Sequence, residues 1–193
     1  IVVLAGGIST ERAVSLVTGT GVCRALRENG HRAILVDLFL GLEEVPADLE
    51  TLFDAPDGLC PDAKIEVEAP DLEAVKRQRA NGGESMFGLG VLELCQSADV
   101  VFLALHGSCG EDGRVQAALE LLGVPYTASG YLGRAIAMDK DLTKRLTAPL
   151  GVATPRWETV RYQKKDVPAL SARLELPCVV KPVDSGSSIG VYI

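Results

Sequence analysis

The sequence predicts an α/β protein: a parallel sheet covered by helices, followed by the incomplete start of a second domain. Three observations lead there. Short β-branched runs closed by glycine alternate with stretches of helical apolar spacing, the pattern of βαβ units rather than hairpins. The clearest runs, IVVLAGG (1–7), AILVDLF (33–39) and DVVFLALHG (99–107), are apolar almost throughout, as strands buried on both faces are. After Tyr126 the pattern changes to two consecutive helical segments and proline-introduced strands, which divides the chain into domains at 1–127 and 128–193.

In chain order, IVVLAGG reads as a buried strand opening into a loop. Ser9 suits a helix N-cap, Ala13, Val14, Val17, Val22, Ala25 and Leu26 follow at helical spacing, and Gly30 stands where a C-cap belongs. With AILVDLF this makes a βαβ unit, whose crossover is expected to be right-handed. The signal weakens over 40–97: KIEVE (64–68) suggests a strand, and Leu72 to Ala80 and Gly88 to Cys95 suggest helices. DVVFLALHG is the strongest strand, RVQAALELLG (114–123) the strongest helix, and VPYTA (124–128) follows as a further strand. LGRAIAMD (132–139) and DLTKRLTA (141–148) read as helices, and prolines introduce a polar strand, RWETV (156–160), and a last one, PCVVKPV (177–183).

With 193 residues, 47% of them apolar, the chain has ample material for a packed core. Its formal charge of −7 argues against long-range attraction to nucleic acid or an anionic membrane, while leaving room for a local phosphate pocket. No run approaches the roughly 18 apolar residues of a spanning helix. Five scattered cysteines, odd in number and without a Cys-x-x-Cys pair, fit a reducing cytosol better than a disulfide scaffold or a zinc site. The chain starts at Ile1 within a strand, without initiator Met or signal peptide, and finishes on a strand; both ends read as cuts in a longer protein.

Four stretches carry chemistry. In GGISTERAVS (6–15) a glycine-rich strand-to-helix turn presents N–H groups and a helix dipole, with Glu11 in the first turn. Glu11 either complements the dipole or receives a substrate ammonium. A G-x-G-x-x-G fingerprint is missing, which counts against a dinucleotide site. In ALHGSCGEDG (104–113), His106 stands at the carboxyl end of a parallel strand, where open α/β sheets bind ligands. Glu111 and Asp112 there read as dipole partners or supports rather than metal ligands. In AMDKDLTKR (137–145), Lys140 reads locally as a surface lysine. Finally, VVKPVDSGSSIGVYI (179–193) puts Lys181 on a strand ahead of a Gly/Ser loop and a returning strand. Small residues let successive N–H groups line one concavity and the lysine adds a countercharge, so the stretch reads as a flap over nucleotide phosphates.

Read in order, GGISTERAVS, ALHGSCGEDG, PYTASG, AMDKDLTKR, TPRW and VVKPVDSGSSIGV resemble the D-alanine–D-alanine ligases of the ATP-grasp superfamily. The resemblance covers 1–38 and 99–193 and leaves 40–97 as a variable insertion. It implies a Rossmann-like N-terminal domain followed by the start of an ATP-grasp domain. It also implies a cytoplasmic, ATP- and Mg2+-dependent ligase that joins two D-alanines through an acyl phosphate for peptidoglycan precursors, and commonly a homodimer. Glu11 then matches the carboxylate that holds the first D-alanine's ammonium, Val14 lies near its methyl, and His106 matches the histidine at its carboxylate. Lys140 and Lys181 match the two ATP-phosphate lysines, Ser187 the loop serine linked to Glu11, Ser188 its phosphate-facing neighbour, and Glu111 a support behind them.

Cys109 and Ala128 depart from Gly-like positions of the family, and Ser185–Gly186 stands where many members have Glu-Gly. The metal ligands, the adenine pocket and the loop that selects the second substrate are expected beyond Ile193, so no metal ligand is assigned here and these 193 residues alone are expected to be inactive. Three other readings stay open. One is a sibling ligase that joins D-alanine to D-lactate or D-serine. Another is a nucleotide-dependent oxidoreductase with Asp37 as its ribose-binding acid. The last is a non-catalytic ligand-binding α/β module.

Overall fold

The structure, a computed structural model, describes residues 1–56, 58–62, 64–65, 70–79, 83–108, 110–186 and 190–193. Two compact units make up the chain, Ile1–Ala135 and Ile136–Ile193.

The first unit is built on a parallel sheet of β1 (Val2–Ala5), β2 (Ile34–Asp37) and β3 (Val101–Leu103), with β1 central in the order β2-β1-β3. Val2 pairs with Ile34 on one side and with Val101 on the other. The run VPYTA contributes one parallel bridge, Tyr126 to Val101, and no full strand. Among the described residues the α-helices of this part are α1 (Arg12–Glu28), α2 (Leu72–Gln78), α3 (Val91–Gln96), α4 (Arg114–Leu121) and the start of α5 (Tyr131–Met138). Successive strand residues point to opposite faces, and two cores result. Val2, Leu4, Ile34 and Val36 pack with Val91 and Leu94 of α3 and Val115 and Leu119 of α4. Val3, Ala5 and Leu35 pack with Cys23, Leu16, Val22 and Leu26 of α1. A sheet covered on both faces needs apolar residues at every strand position, which is why these runs do not alternate.

α1 departs from its expected form in two ways. It begins at Arg12, with Glu11 in the N-cap position, because Ser9 closes a turn ahead of the helix: its hydroxyl accepts from Glu11 N–H (3.2 Å) and its carbonyl accepts from Arg12 N–H (3.1 Å). Its buried residues are Arg12, Ser15, Gly19, Thr20 and Cys23, rather than the valines that mark its helical spacing. At Gly19 the helix rides too close to the sheet for any side chain, and Leu16, Val22 and Leu26 pack beside that closest approach. A Cβ on Gly19 would stand 2.7 Å from Ala5 Cβ and 3.1 Å from Leu35 Cδ1.

Within 40–97, α2 and α3 form where helices are expected, slightly shortened. Of the expected strand at 64–68, Lys64 and Ile65 are not in a strand and the remainder lies outside the described residues. The two compact units meet inside α5, between Ala135 and Ile136, and the first turn of α5 is held to α4. Tyr131 N–H donates to Glu120 Oε1 (3.3 Å), and a Cβ on Gly113 would come within 2.3 Å of the Tyr131 carbonyl.

The second unit contains α6 (Lys140–Thr147) and α7 (Val167–Ala172). The expected polar strand 156–160 is irregular. A strand needs a neighbour to take its N–H and C=O groups, and among the described residues none pairs with it. Side chains hold it to α6 instead: Trp157 Nε1 and Thr159 Oγ1 each donate to Asp141 Oδ1 (2.8 Å). Among the described residues of the final strand–loop–strand, one antiparallel bridge joins Val180 to Tyr192.

Candidate active site

The carboxyl ends of β1 and β3 carry the two loops that sequence reasoning singles out. The β1–α1 turn passes through Gly6 and Gly7, both at positive φ. A Cβ on Gly6 would come within 2.1 Å of the Asp37 carboxylate, so only glycine fits there. Asp37 is spent on this turn. Its Oδ2 pairs with Arg12 Nη2 at 2.5 Å, with both side chains nearly buried (10% and 12% exposed), and its Oδ1 accepts from Phe39 and Leu40 N–H at 2.9 and 3.0 Å. Arg12 Nη1 also donates to the Gly7 carbonyl (2.8 Å). The oxidoreductase reading thereby loses its ribose acid: Asp37 is a buried fastener between β2 and the turn.

Two serines stitch this turn to β3. Ser15 Oγ accepts from Gly6 N–H (2.9 Å) and donates to the Ala104 carbonyl (2.8 Å). Ser9 Oγ accepts from Glu11 N–H and donates to the His106 carbonyl (2.9 Å). The chain just after His106 lies against the Glu11 carboxylate, since a Cβ on Gly107 would stand 2.8 Å from Glu11 Oε2. Gly107 takes φ +72°, so glycine suits it on both counts. Glu111 supports the loop from behind: its carboxylate accepts from Gly107 N–H (2.9 Å) while its own N–H donates to the Gly107 carbonyl (3.0 Å). The His106 ring meets Thr18 of α1, Nε2 to Oγ1, at 3.3 Å. Val14 is half-buried one turn along α1 from Glu11, on the same side of the helix. Glu11 and the His106–Gly107 stretch thus lie together at the carboxyl end of the sheet.

In the second unit, Lys140 opens α6 behind the N-cap Asp139, whose side chain accepts from Leu142 N–H (2.8 Å). The Lys140 ammonium donates to the carbonyls of Val183 (3.2 Å) and Ser185 (2.5 Å), and its backbone N–H to Val183 as well (3.0 Å). It is therefore not the loose surface lysine its neighbours suggest, but is tied to the start of the Gly/Ser loop. Lys181 is exposed, next to the Val180–Tyr192 bridge. Ser187 and Ser188 lie outside the described residues. Among the described residues no three or more His, Cys, Asp or Glu side chains come together to hold a metal ion, and no helix is long and apolar enough to cross a membrane.

Comparison with known proteins decides the family. The description "D-ala D-ala ligase N-terminus" fits residues 1–129. The chain belongs to the D-alanine–D-alanine ligase family. Among curated D-alanine–D-alanine ligases, that of Lacticaseibacillus casei (strain BL23) is 39% identical over 193 residues, covering the whole chain and 53% of that relative. That of Pediococcus pentosaceus is 41% identical over 194 residues, covering the whole chain and 54% of the relative. The chain spans about half the length of the curated relatives it matches. Of the solved structures, the Bacillus anthracis D-alanine–D-alanine ligase matches all of the chain and 48% of its own, with a TM-score of 0.58 and 28% identity. A structure of the Bacillus anthracis enzyme complexed with ATP matches at TM-score 0.58 and 27% identity, over the whole chain and 47% of its own.

Membership in the D-alanine–D-alanine ligase family agrees with the parallel α/β sheet read from the sequence. Sequence reasoning missed the hydroxyls that hold this family member's loops: Ser15 and Thr18 were unremarked, and Ser9 was read only as a cap. The available signal is the run of hydroxyl residues Ser9, Ser15 and Thr18 set among the apolar Ala13, Val14, Leu16 and Val17.

Proposed function

We propose that this chain is the substrate-gripping part of an ATP-dependent ligase that joins two D-alanines. The observation that carries the reading is the stitching of Glu11 and His106 into one edge by Ser9, in a chain whose relatives are D-alanine–D-alanine ligases. Glu11 receives the ammonium of the first D-alanine, His106 faces its carboxylate, and Val14 lines its methyl. The charge pattern favours this zwitterion over a dinucleotide, since the one acid suited to a ribose is buried under Arg12.

In this reading Lys140 and Lys181 neutralise ATP phosphates, joined by Ser187 and Ser188 of the Gly/Ser stretch that follows Lys181. The substrate carboxylate attacks the terminal phosphorus, giving an acyl phosphate and ADP. The amine of a second D-alanine adds to the acyl carbon, and the tetrahedral intermediate expels phosphate and loses a proton. Positioning and charge neutralisation supply most of the rate in such transfers. Magnesium, which the family reading brings, finds no cluster of three or more His, Cys, Asp or Glu side chains among the described residues. A cytoplasmic place, a role in peptidoglycan precursor supply and a homodimer belong to the same proposal.

The test is phosphate release by the intact protein with ATP, magnesium and D-alanine, with the product's mass recorded. Release with a D-alanyl-D-alanine mass supports the reading. Release only after D-lactate or D-serine is added moves the protein to the sibling ligases, and silence in all three conditions overturns it.

A further inference from the structure

We infer that Thr18 is a positioning residue for His106, fixing which ring nitrogen faces the first substrate. His106 is held at two points by the same stretch of chain. Its carbonyl accepts from Ser9 Oγ at 2.9 Å, and its Nε2 meets Thr18 Oγ1 at 3.3 Å. The first contact anchors the backbone, and the second sets the rotation of the ring about that anchor. At 3.3 Å the two atoms are within reach of a hydroxyl–imidazole hydrogen bond.

Three arrangements satisfy the contact: the Thr18 hydroxyl donates to a bare Nε2, a neutral ring donates from Nε2–H to the Thr18 oxygen, or a doubly protonated ring does so. Only the first and third leave a proton on Nδ1, and only such a ring can donate to a carboxylate from that side, so the carboxylate role of His106 selects between them, with the first as the neutral form. A neutral imidazole left to itself favours the proton on Nε2, so Thr18 reverses the ordinary preference. Nδ1–H is then the donor offered to the carboxylate of the first D-alanine. The proton placement rests on the reading of His106 given above, whereas the contact of Nε2 with Thr18 does not.

The experiment uses the intact protein labelled with 15N-histidine, with the His106 signal identified by its loss in His106→Gln. At alkaline pH the wild type is expected to show a bare Nε2 and a protonated Nδ1. Thr18→Val keeps the β-branched shape and removes the hydroxyl. It is expected to swap the tautomer and to raise KM for the first D-alanine roughly three- to tenfold, the range one lost hydrogen bond gives, with kcat changed less. Thr18→Ser, which keeps the hydroxyl, is expected to retain the wild-type tautomer and KM. An unchanged His106 spectrum in Thr18→Val, or a swap in Thr18→Ser, overturns the inference. If the tautomer swaps in Thr18→Val while His106→Gln leaves KM unmoved, the proton placement stands and the substrate reading of His106 fails instead.

Discussion

Gly19 and Gly21 lie on the same helix, two residues apart, and call for opposite responses to the same change. A Cβ on Gly21 meets nothing within 4 Å, and its backbone is not in the left-handed region. Gly21→Ala is therefore expected to stabilise by about 0.5–1 kcal/mol, the difference between glycine and alanine in an exposed helix. Gly19→Ala gains the same helical preference but sets its methyl 2.7 Å from Ala5 Cβ and 3.1 Å from Leu35 Cδ1. Carbon atoms in ordinary contact are about 3.5–4.0 Å apart. The Leu35 branch can rotate away, but both Cβ atoms of the 19–5 pair are fixed to backbone, so the helix must lift from β1. Overpacking of this kind costs about 1–3 kcal/mol. Set against a gain of about 1 kcal/mol in helical preference, the net is a loss of up to about 2 kcal/mol. Hydrogen exchange read peptide by peptide along β1 and α1 reports that loss directly, since the amides of a buried strand exchange through opening of the unit. The β1 amides of Gly19→Ala are expected to exchange about tenfold faster than wild type, at about 1.4 kcal/mol per tenfold, and those of Gly21→Ala no faster. Protection in Gly19→Ala equal to wild type would refute the close approach of α1 to the sheet.

Asp37→Asn leaves the Arg12 guanidinium nearly buried without its counter-ion, and chemical denaturation should register a loss of about 3–5 kcal/mol, the range for breaking a buried pair. Burial pushes the Cys95 thiol up to about 12, and burial together with Cys60 does the same for Cys23. A thiolate-selective reagent at mildly alkaline pH should spare both in the native protein and modify both after unfolding, as peptide mapping by mass will read. Bonds from Arg145, Trp157 and Thr159 hold the Asp141 carboxyl down to about 2. Its folded value lies below its ordinary one, so its stabilising contribution is complete above about pH 4 and fades as pH falls toward 2. An NMR titration of Asp141 should find that low midpoint in the wild type and a higher one in Arg145→Met.

The strands were legible because a sheet covered on both faces demands apolar residues at each position, and periodicity detects that. The covering face of α1 was not, because close helix–sheet approach selects for small size, and glycine, serine and threonine carry no apolar signal. Arg12 and Asp37 were equally opaque: a pair joined across a strand crossover leaves no mark in local spacing. RWETV illustrates the reverse error. Its composition suits a strand, yet strand formation depends on a neighbour, and its side chains instead found Asp141 on α6. Glu11 and His106 could be singled out because the ends of parallel strands are where ligands bind in such sheets. Their shared anchoring through Ser9 needed coordinates. Lys140 looked ordinary in its own neighbourhood because the carbonyls it holds come 43 and 45 residues later.

The serine stitches also order events in time. Ser9 reaches a carbonyl 97 residues further along the chain, and Ser15 one 89 residues further. While the chain is being made, β1 and α1 emerge long before the segment that completes their hydrogen bonds. A nascent chain that has exposed only its first βαβ unit holds Glu11 on a helix with no opposing loop, and two serine hydroxyls without their carbonyl partners. Loop closure across so many residues must come first. The edge that brings Glu11 and His106 together is thus assembled only when β3 docks, and a slow codon or a pause ahead of residue 101 would leave the helix packed but that edge unmade.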